Sequence, residues 1–230
     1  MCEKNDVTIV GGGPIGLYLG GLLAKKGITV TILEQHKRIG KPVQCAGLIT
    51  PRVFEQFQIP SENSIQNSIT GAQIHSPNGS ALIIGGDKIH AYSIDREQFD
   101  RTIADHAEQH GAKIIAGEKA QSIQREDSHI ETCTNKKRTI QSSLIVGADG
   151  PRSLVRNIFD FPRPQSMLKG MGVNLTKTTL DPSTVEIYVG NDIAPGFFAW
   201  IIQRMKREQL HEPDYAVQVA SLQNHTLNHF

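Results

Sequence analysis

Cysteine is scarce here. Cys2, Cys45 and Cys133 stand far apart and form no Cys-x-x-Cys pair, which excludes a disulfide framework and gives no zinc-ligand spacing. A reducing compartment fits. Long apolar runs are also missing: stretches such as Gly196 to Ile202 fall well short of the ~20 residues that cross a bilayer. Glu3, Lys4, Asn5 and Asp6 precede only a short apolar strand, so no secretion signal is visible. The formal charge of +1 shows no bias of sign and gives no indication of a nucleic-acid partner. Lys136-Lys137-Arg138 and the Arg204 to Arg207 group are short and read as solvated faces. These absences describe a cytoplasmic globular protein, with room for peripheral contact at the inner face of a membrane.

Glycine is plentiful early, and the first 35 residues use it in a pattern. In "DVTIVGGGPIGLYLGGLLAKKGITVTILEQ", Val7 to Val10 reads as a short buried strand. Gly11, Gly13 and Gly16 then satisfy G-x-G-x-x-G. A helix follows with Leu19, Leu22 and Leu23 expected on its inner side, and Gly27 stops it. Thr29 to Leu33 is a second β-branched strand ending on Glu34. The glycines provide a tight turn, backbone approach to a pyrophosphate and close helix–strand contact. The helix N-terminus offers N–H groups and partial positive charge to phosphates. Glu34 is placed to accept hydrogen bonds from ribose hydroxyls. Gly11, Gly13, Ile15, Gly16 and Glu34 are the cofactor-binding candidates of this unit.

Two later segments extend it. "SSLIVGADGPRSLVRNIF" is another apolar strand, Leu144 to Val146, opening into Gly147-Ala148-Asp149-Gly150, with Ser153 and Arg156 entering a helix. Asp149 lies at a strand's C-terminal end, where α/β sheets bind ligands. "YSIDREQFDRTIADHAEQHGAKII" predicts a helix with Asp95 as N-cap, Phe99, Ile103 and Ala107 on one face, and Gly111 as its stop. Between them, turns at Asp127-Ser128 and Asn135-Lys136 predict a three-stranded meander. G-A-D-G-x-x-S-x-V-R resembles the second fingerprint of FAD-dependent enzymes built like aromatic hydroxylases. The resemblance implies that FAD is the cofactor, that Asp149 lies near the flavin chain, that Arg96 faces the flavin's phosphate, and that Ala120 packs its backbone against adenine.

The loop "GKPVQCAGLIT", Gly40 to Thr50, then finds a place. P-x-x-C followed by small residues, "GLITPRVFEQF", "YSIDREQFD", G-A-D-G and "PGFFAWII" together resemble the FAD-dependent geranylgeranyl reductases, a family that includes archaeal enzymes of lipid synthesis. This implies that Cys45, Ala46 and Gly47 lie beside the flavin ring, with Cys45 a candidate catalytic proton donor or positioning group. It also implies that Phe197, Phe198 and Trp200 line a prenyl channel. The implied substrate is a prenylated lipid, and the electron donor ferredoxin or NAD(P)H. No metal is indicated. An aromatic monooxygenase or halogenase, and a non-catalytic fragment, remain as alternatives.

The predicted fold class is α/β: a glutathione-reductase-like FAD-binding Rossmann domain, residues 1–50 and 90–160, with an incomplete β-rich substrate domain. Residues 51–89, with a hairpin around Asn78-Gly79, and 161–202 supply the latter. Residues 203–230 form an atypical tail: no glycine follows Gly196, and the later Gly-Asp segment of the resembled family is not found. The expectation is a truncated or frameshifted chain whose tail packs poorly and which holds FAD weakly.

Overall fold

The computed structural model describes residues 2–60, 63–167, 169–176, 180–203 and 214–221. The first half of the chain forms β1 (Cys2–Val10), α1 (Pro14–Lys25), β2 (Val30–Glu34), β3 (Leu48–Ile49), α2 (Pro51–Phe57), β4 (Ile65–Ile69), β5 (Gly71–His75), β6 (Ala81–Gly85) and β7 (Ala91–Ile94). Then come α3 (Arg96–Gln109), β8 (Lys113–Ala116), β9 (Ala120–Arg125), β10 (Ile130–Thr134), β11 (Thr139–Gly147), α4 (Leu154–Ile158), β12 (Lys169–Thr176), β13 (Thr184–Val189), β14 (Phe198–Gln203) and β15 (Asp214–Ser221). They divide into two units: Met1–Val43 with Glu97–Arg163, and Gln44–Arg96 with Pro164–Phe230.

The first unit is built on a six-stranded sheet in the order β8-β2-β1-β11-β10-β9. β8, β2, β1 and β11 run parallel, and β10 and β9 complete the sheet as the expected antiparallel meander. A parallel pair needs a crossover, and α1 supplies the one between β1 and β2. β1 is longer than its apolar run, because Cys2–Asn5 pair with Thr139–Ser142 of β11. That partner lies far along the chain, so local patterning could not extend the strand.

The inner face of α1 differs from expectation. Gly16, Leu17, Gly20, Gly21 and Ala24 are buried, whereas Leu22 is exposed and Leu19 and Leu23 are half-buried. The cause is the closeness of packing. A Cβ on Gly20 would come within 2.4 Å of Ile32 Cδ1, and one on Gly21 within 3.2 Å of the Ala107 backbone. Glycines together with Leu17 therefore form the contact face, and Leu19, Leu22 and Leu23 lie at its flanks. α3 follows its predicted stripe, burying Phe99, Ile103 and Ala107. The opposite side of the sheet carries an apolar cluster of Val10, Leu33, Ile115, Ala120, Ile123, Ile140 and Val155.

The basic group Lys136-Lys137-Arg138 is not simply a solvated face. Arg138 forks onto the buried Glu118, with Nε to Oε2 at 3.1 Å and Nη2 to Oε1 at 3.0 Å. Thr134 Oγ1 donates to the same carboxylate at 3.0 Å. A buried carboxylate is tolerable when it is paired in this way.

The second unit holds a six-stranded sheet, β12-β15-β14-β13-β5-β6, and a three-stranded one, β3-β7-β4. Its only parallel pairing among described residues is β5 with β13. The hairpin of β5 and β6 forms around Asn78-Gly79, as the sequence predicts: Ser76 N donates to Ser80 O at 2.9 Å, and Gly79 adopts φ +86°. Ile69, Val185 and Ile202 form the buried cluster, with Ala46, Ala72, Ala91, Ile187 and Trp200 packed on it.

The tail departs from expectation. Asp214–Ser221 form β15, which pairs antiparallel with β12 on one side and β14 on the other. A strand with two neighbours has its backbone groups satisfied, which outweighs the weak local periodicity that suggested poor packing. Of the remaining tail, Gln203 ends β14, while residues 204–213 and 222–230 lie outside the described residues, as does the basic Arg204 to Arg207 group.

The Glu118 pairing yields a pH prediction. The hydrogen bond from Arg138, opposed by desolvation, holds the Glu118 carboxyl below its ordinary value of 4.5. The stabilisation is therefore complete above that ordinary value and is lost as pH falls through the lowered folded one. Glu118→Gln should cost about 2 kcal/mol at neutral pH, since a charge-assisted fork is broken. Melting curves of both proteins should converge as the solution is acidified.

Candidate functional site

The C-terminal ends of β2, β1 and β11 lie side by side, and the two glycine motifs begin there. Gly11 N donates to Leu33 O at 2.8 Å, and Ala148 N donates to Val10 O at 2.8 Å. Gly11 has φ +112°, and a Cβ on it would sit 2.2 Å from Ala148 O. A Cβ on Gly16 would sit 2.1 Å from Gly11 O. Both clashes are with backbone, so no side-chain adjustment relieves them, and only glycine lets the loop press against the Gly147–Gly150 segment.

Gly13 is different. A Cβ there would meet nothing within 4 Å, although its backbone, φ −78° and ψ 175°, accepts any residue. Gly13 is the N-cap of α1, no side chain caps that end, and Pro14 occupies the first turn. The open space thus lies where uncapped helix amides and the positive end of the helix dipole converge. That cradle suits a pyrophosphate. Ile15 sits in the same turn with its side chain 76% exposed, so its backbone rather than its side chain faces this task.

Glu34 ends β2 at the rim. Its Oε2 accepts from Gly12 N at 2.8 Å, and its Oε1 accepts from His36 N at 2.8 Å and contacts His36 Nδ1 at 2.7 Å. The carboxylate is therefore fixed by the glycine loop and by the turn after β2. Gly12 and His36 are partners outside the motif's fixed positions; the signal was the extra glycine between Gly11 and Gly13 and a histidine two residues beyond the acid. Carboxylate oxygens have capacity for further donors, so ribose hydroxyls can still be accepted.

Asp149 divides its work. Oδ2 accepts from Leu154 N at 2.6 Å and Val155 N at 3.3 Å, bracing the start of α4, where Ser153 Oγ caps Arg156 N at 2.9 Å. Oδ1 is buried without a hydrogen-bond partner. A buried acceptor left unpaired is costly, and a donor from a bound dinucleotide would satisfy it. Ala120 opens β9 with its side chain in the core.

Cys45, Ala46, Gly47, Arg96 and the three aromatics belong to the second unit. Gly47, at φ +75°, accepts from Ile94 N at 2.7 Å and donates to Cys45 Sγ at 3.4 Å. A Cβ on it would strike Ile94 O at 2.5 Å and lie 3.5 Å from Arg96 Cγ. The loop is thus clamped to β7 and to the first residue of α3. Ala46 packs on the same apolar cluster as Trp200. Phe197 and Phe198 stack with centroids 4.3 Å apart, and Phe198 lies 5.5 Å from Trp200. Cys45 is half-buried.

A glycine loop, a strand-end acid and a second strand-end aspartate at the ends of adjacent parallel strands define a dinucleotide-binding domain. The chain belongs to the FAD binding domain family, whose model matches residues 4–226. Among curated proteins it is similar to digeranylgeranylglycerophospholipid reductases. That of Methanosarcina acetivorans is 29% identical over 216 residues, 89% of this chain and 53% of the relative. That of Methanocaldococcus jannaschii is 30% identical over 217 residues, 89% and 54% respectively. The chain spans about half the length of these relatives. Its fold is like that of a geranylgeranyl bacteriochlorophyll reductase-like protein from Thermoplasma acidophilum, with TM-score 0.83 and 22% identity, covering 96% of this chain and 57% of that one. It is also like Pseudomonas aeruginosa PqsL, with TM-score 0.74 and 18% identity over 95% and 61%.

The cradle predicts a contrast between two glycines. Gly13→Thr should leave the melting temperature of the flavin-free chain nearly unchanged, because threonine caps a helix about as well as glycine, while weakening FAD at least tenfold by filling the open space. Gly16→Ala should lower both, since its clash is internal. Differential scanning calorimetry with a fluorescence titration of FAD separates them; equal effects of the two substitutions would refute the cradle.

Proposed function

We propose that this chain is the FAD-holding part of an oxidoreductase that saturates C=C bonds in geranylgeranyl chains of membrane lipids. The observation that carries this reading is the second unit's apolar cluster of Ile69, Val185 and Ile202, onto which Ala46 of the Cys45–Gly47 loop and Trp200 both pack. The names of the relatives support the substrate class. When bound, FAD reduced by ferredoxin or NAD(P)H would supply the hydride for such a reduction.

The chain's own residues bind and orient. Gly11, Gly13, Gly16 and the first turn of α1 receive the pyrophosphate, Glu34 the ribose, and Asp149 Oδ1 a donor from the dinucleotide. The family resemblance assigns Arg96 to the flavin's phosphate. Gly47 lets the Cys45 loop lie flat against β7, where its backbone is available to a planar ring. Phe197, Phe198 and Trp200 form an apolar wall that excludes water from an alkene. The Cys45 thiol holds a proton at Sγ, and protonation of the second alkene carbon is the role assigned to it.

The competing reading, an aromatic monooxygenase, draws on the likeness of fold to PqsL, which was solved with 2-aminobenzoylacetate. Oxygen distinguishes them. With FAD saturating and photoreduced under anaerobic conditions, a geranylgeranyl lipid should reoxidise the flavin and gain hydrogen. Cys45→Ser should slow that step tenfold or more without changing FAD affinity. Turnover that requires oxygen and yields a hydroxylated product would overturn the reductase assignment. Glu34→Ala should weaken FAD by about 1.5–3 kcal/mol, the worth of hydrogen bonds to a charged acceptor.

A further inference from the structure

In the second unit, β6 is the outermost strand of the six-stranded sheet and pairs only with β5. All five of its residues are exposed, although three are large and apolar: Leu82 at 60%, Ile83 at 75% and Ile84 at 48%. Edge strands ordinarily carry a lysine, a proline or an inward charge that discourages pairing. β6 carries none, and no charged residue occurs from Ser76 to Gly86. Ile89, 37% exposed, follows beside Lys88.

The pattern selects among occupants. Side chains alternate across a strand, so Leu82 and Ile84 project to one face and Ile83 to the other. A protein surface laid on one face leaves the other face's apolar side chains in water. Adding a strand to the edge satisfies its backbone but covers neither face. A lipid–water interface surrounds both faces at once, and its headgroup layer supplies water and phosphate oxygens to the open edge. Asp87 and Lys88 follow the apolar run, and the Lys88 ammonium suits contact with lipid phosphate. Among the described residues no helix is long and apolar enough to cross a membrane.

We propose that β6, with Ile89 and Lys88, is a bilayer-docking edge that seats the protein at headgroup depth on a membrane. This inference rests on the reading of the substrate as a membrane lipid, but its test does not depend on catalysis. Vesicles of phosphatidylcholine and phosphatidylglycerol, free of isoprenoid lipid, are sedimented with the purified chain. The wild type should co-sediment, and the combined Leu82→Ser, Ile83→Ser and Ile84→Ser variant should lose at least tenfold in partitioning while keeping its melting temperature and FAD affinity. Ile83→Trp should add a blue-shifted emission component on vesicle binding. Equal binding by wild type and triple variant, or no binding by the wild type, would overturn the proposal. So would a wild-type dimer in sedimentation equilibrium that the triple substitution dissociates, which would assign the edge to a second copy. Vesicle binding without alkene reduction would leave this edge intact and refute only the reductase reading.

Discussion

The parallel pairing of β1 with β11 is the contact on which the candidate site depends. It joins residues some 140 positions apart in register, Val10 opposite Gly147, and so puts the two glycine motifs at one sheet end. Once they are adjacent, there is no room for side chains between them: Gly11 and Gly16 are held against each other and against Ala148 by backbone clashes that any Cβ would create. The glycines are thus required by the packing of the chain on itself, before any ligand enters. Among the glycines of the first motif, Gly13 is free of that requirement, and the space beside it is what remains for a phosphate.

A second constraint follows from burying charge in a small α/β layer. Glu34 and Glu118 each lie near the edge of the first unit's sheet, and each is bound by several donors rather than one. Glu34 is tied to the glycine loop, so a change in that loop is felt by the acid, and the reverse. Glu118 is tied to the meander through Arg138 and Thr134. Ordering of the site and stability of the unit are therefore coupled through short, directional contacts.

The second unit obeys a different rule. Its sheet is mostly antiparallel, with an apolar cluster on one side and aromatics at the end of β14. The Cys45 loop joins that cluster through Ala46, and its fixed shape comes from Gly47 and Ile94.

The sequence by itself determined the βαβ unit, the meander, the helix from Arg96, the Asn78-Gly79 hairpin and the strand-end positions of Glu34 and Asp149. Each is written in local signals: β-branched runs, helix stops and turn residues a few positions apart. Tertiary structure decided the rest. It placed glycines and Leu17, rather than Leu19, Leu22 and Leu23, on the inner face of α1, because the approach of Ile32 and Ala107 is invisible from within the helix. It extended β1 back to Cys2 through a partner far along the chain, and turned Asp214–Ser221 into a strand between two others. It also gave Glu34 to Gly12 and His36, and left one oxygen of Asp149 without a partner. Local propensity reads only what neighbours in sequence impose; distances between segments, and the side chains they admit or exclude, exist only once the chain has closed on itself.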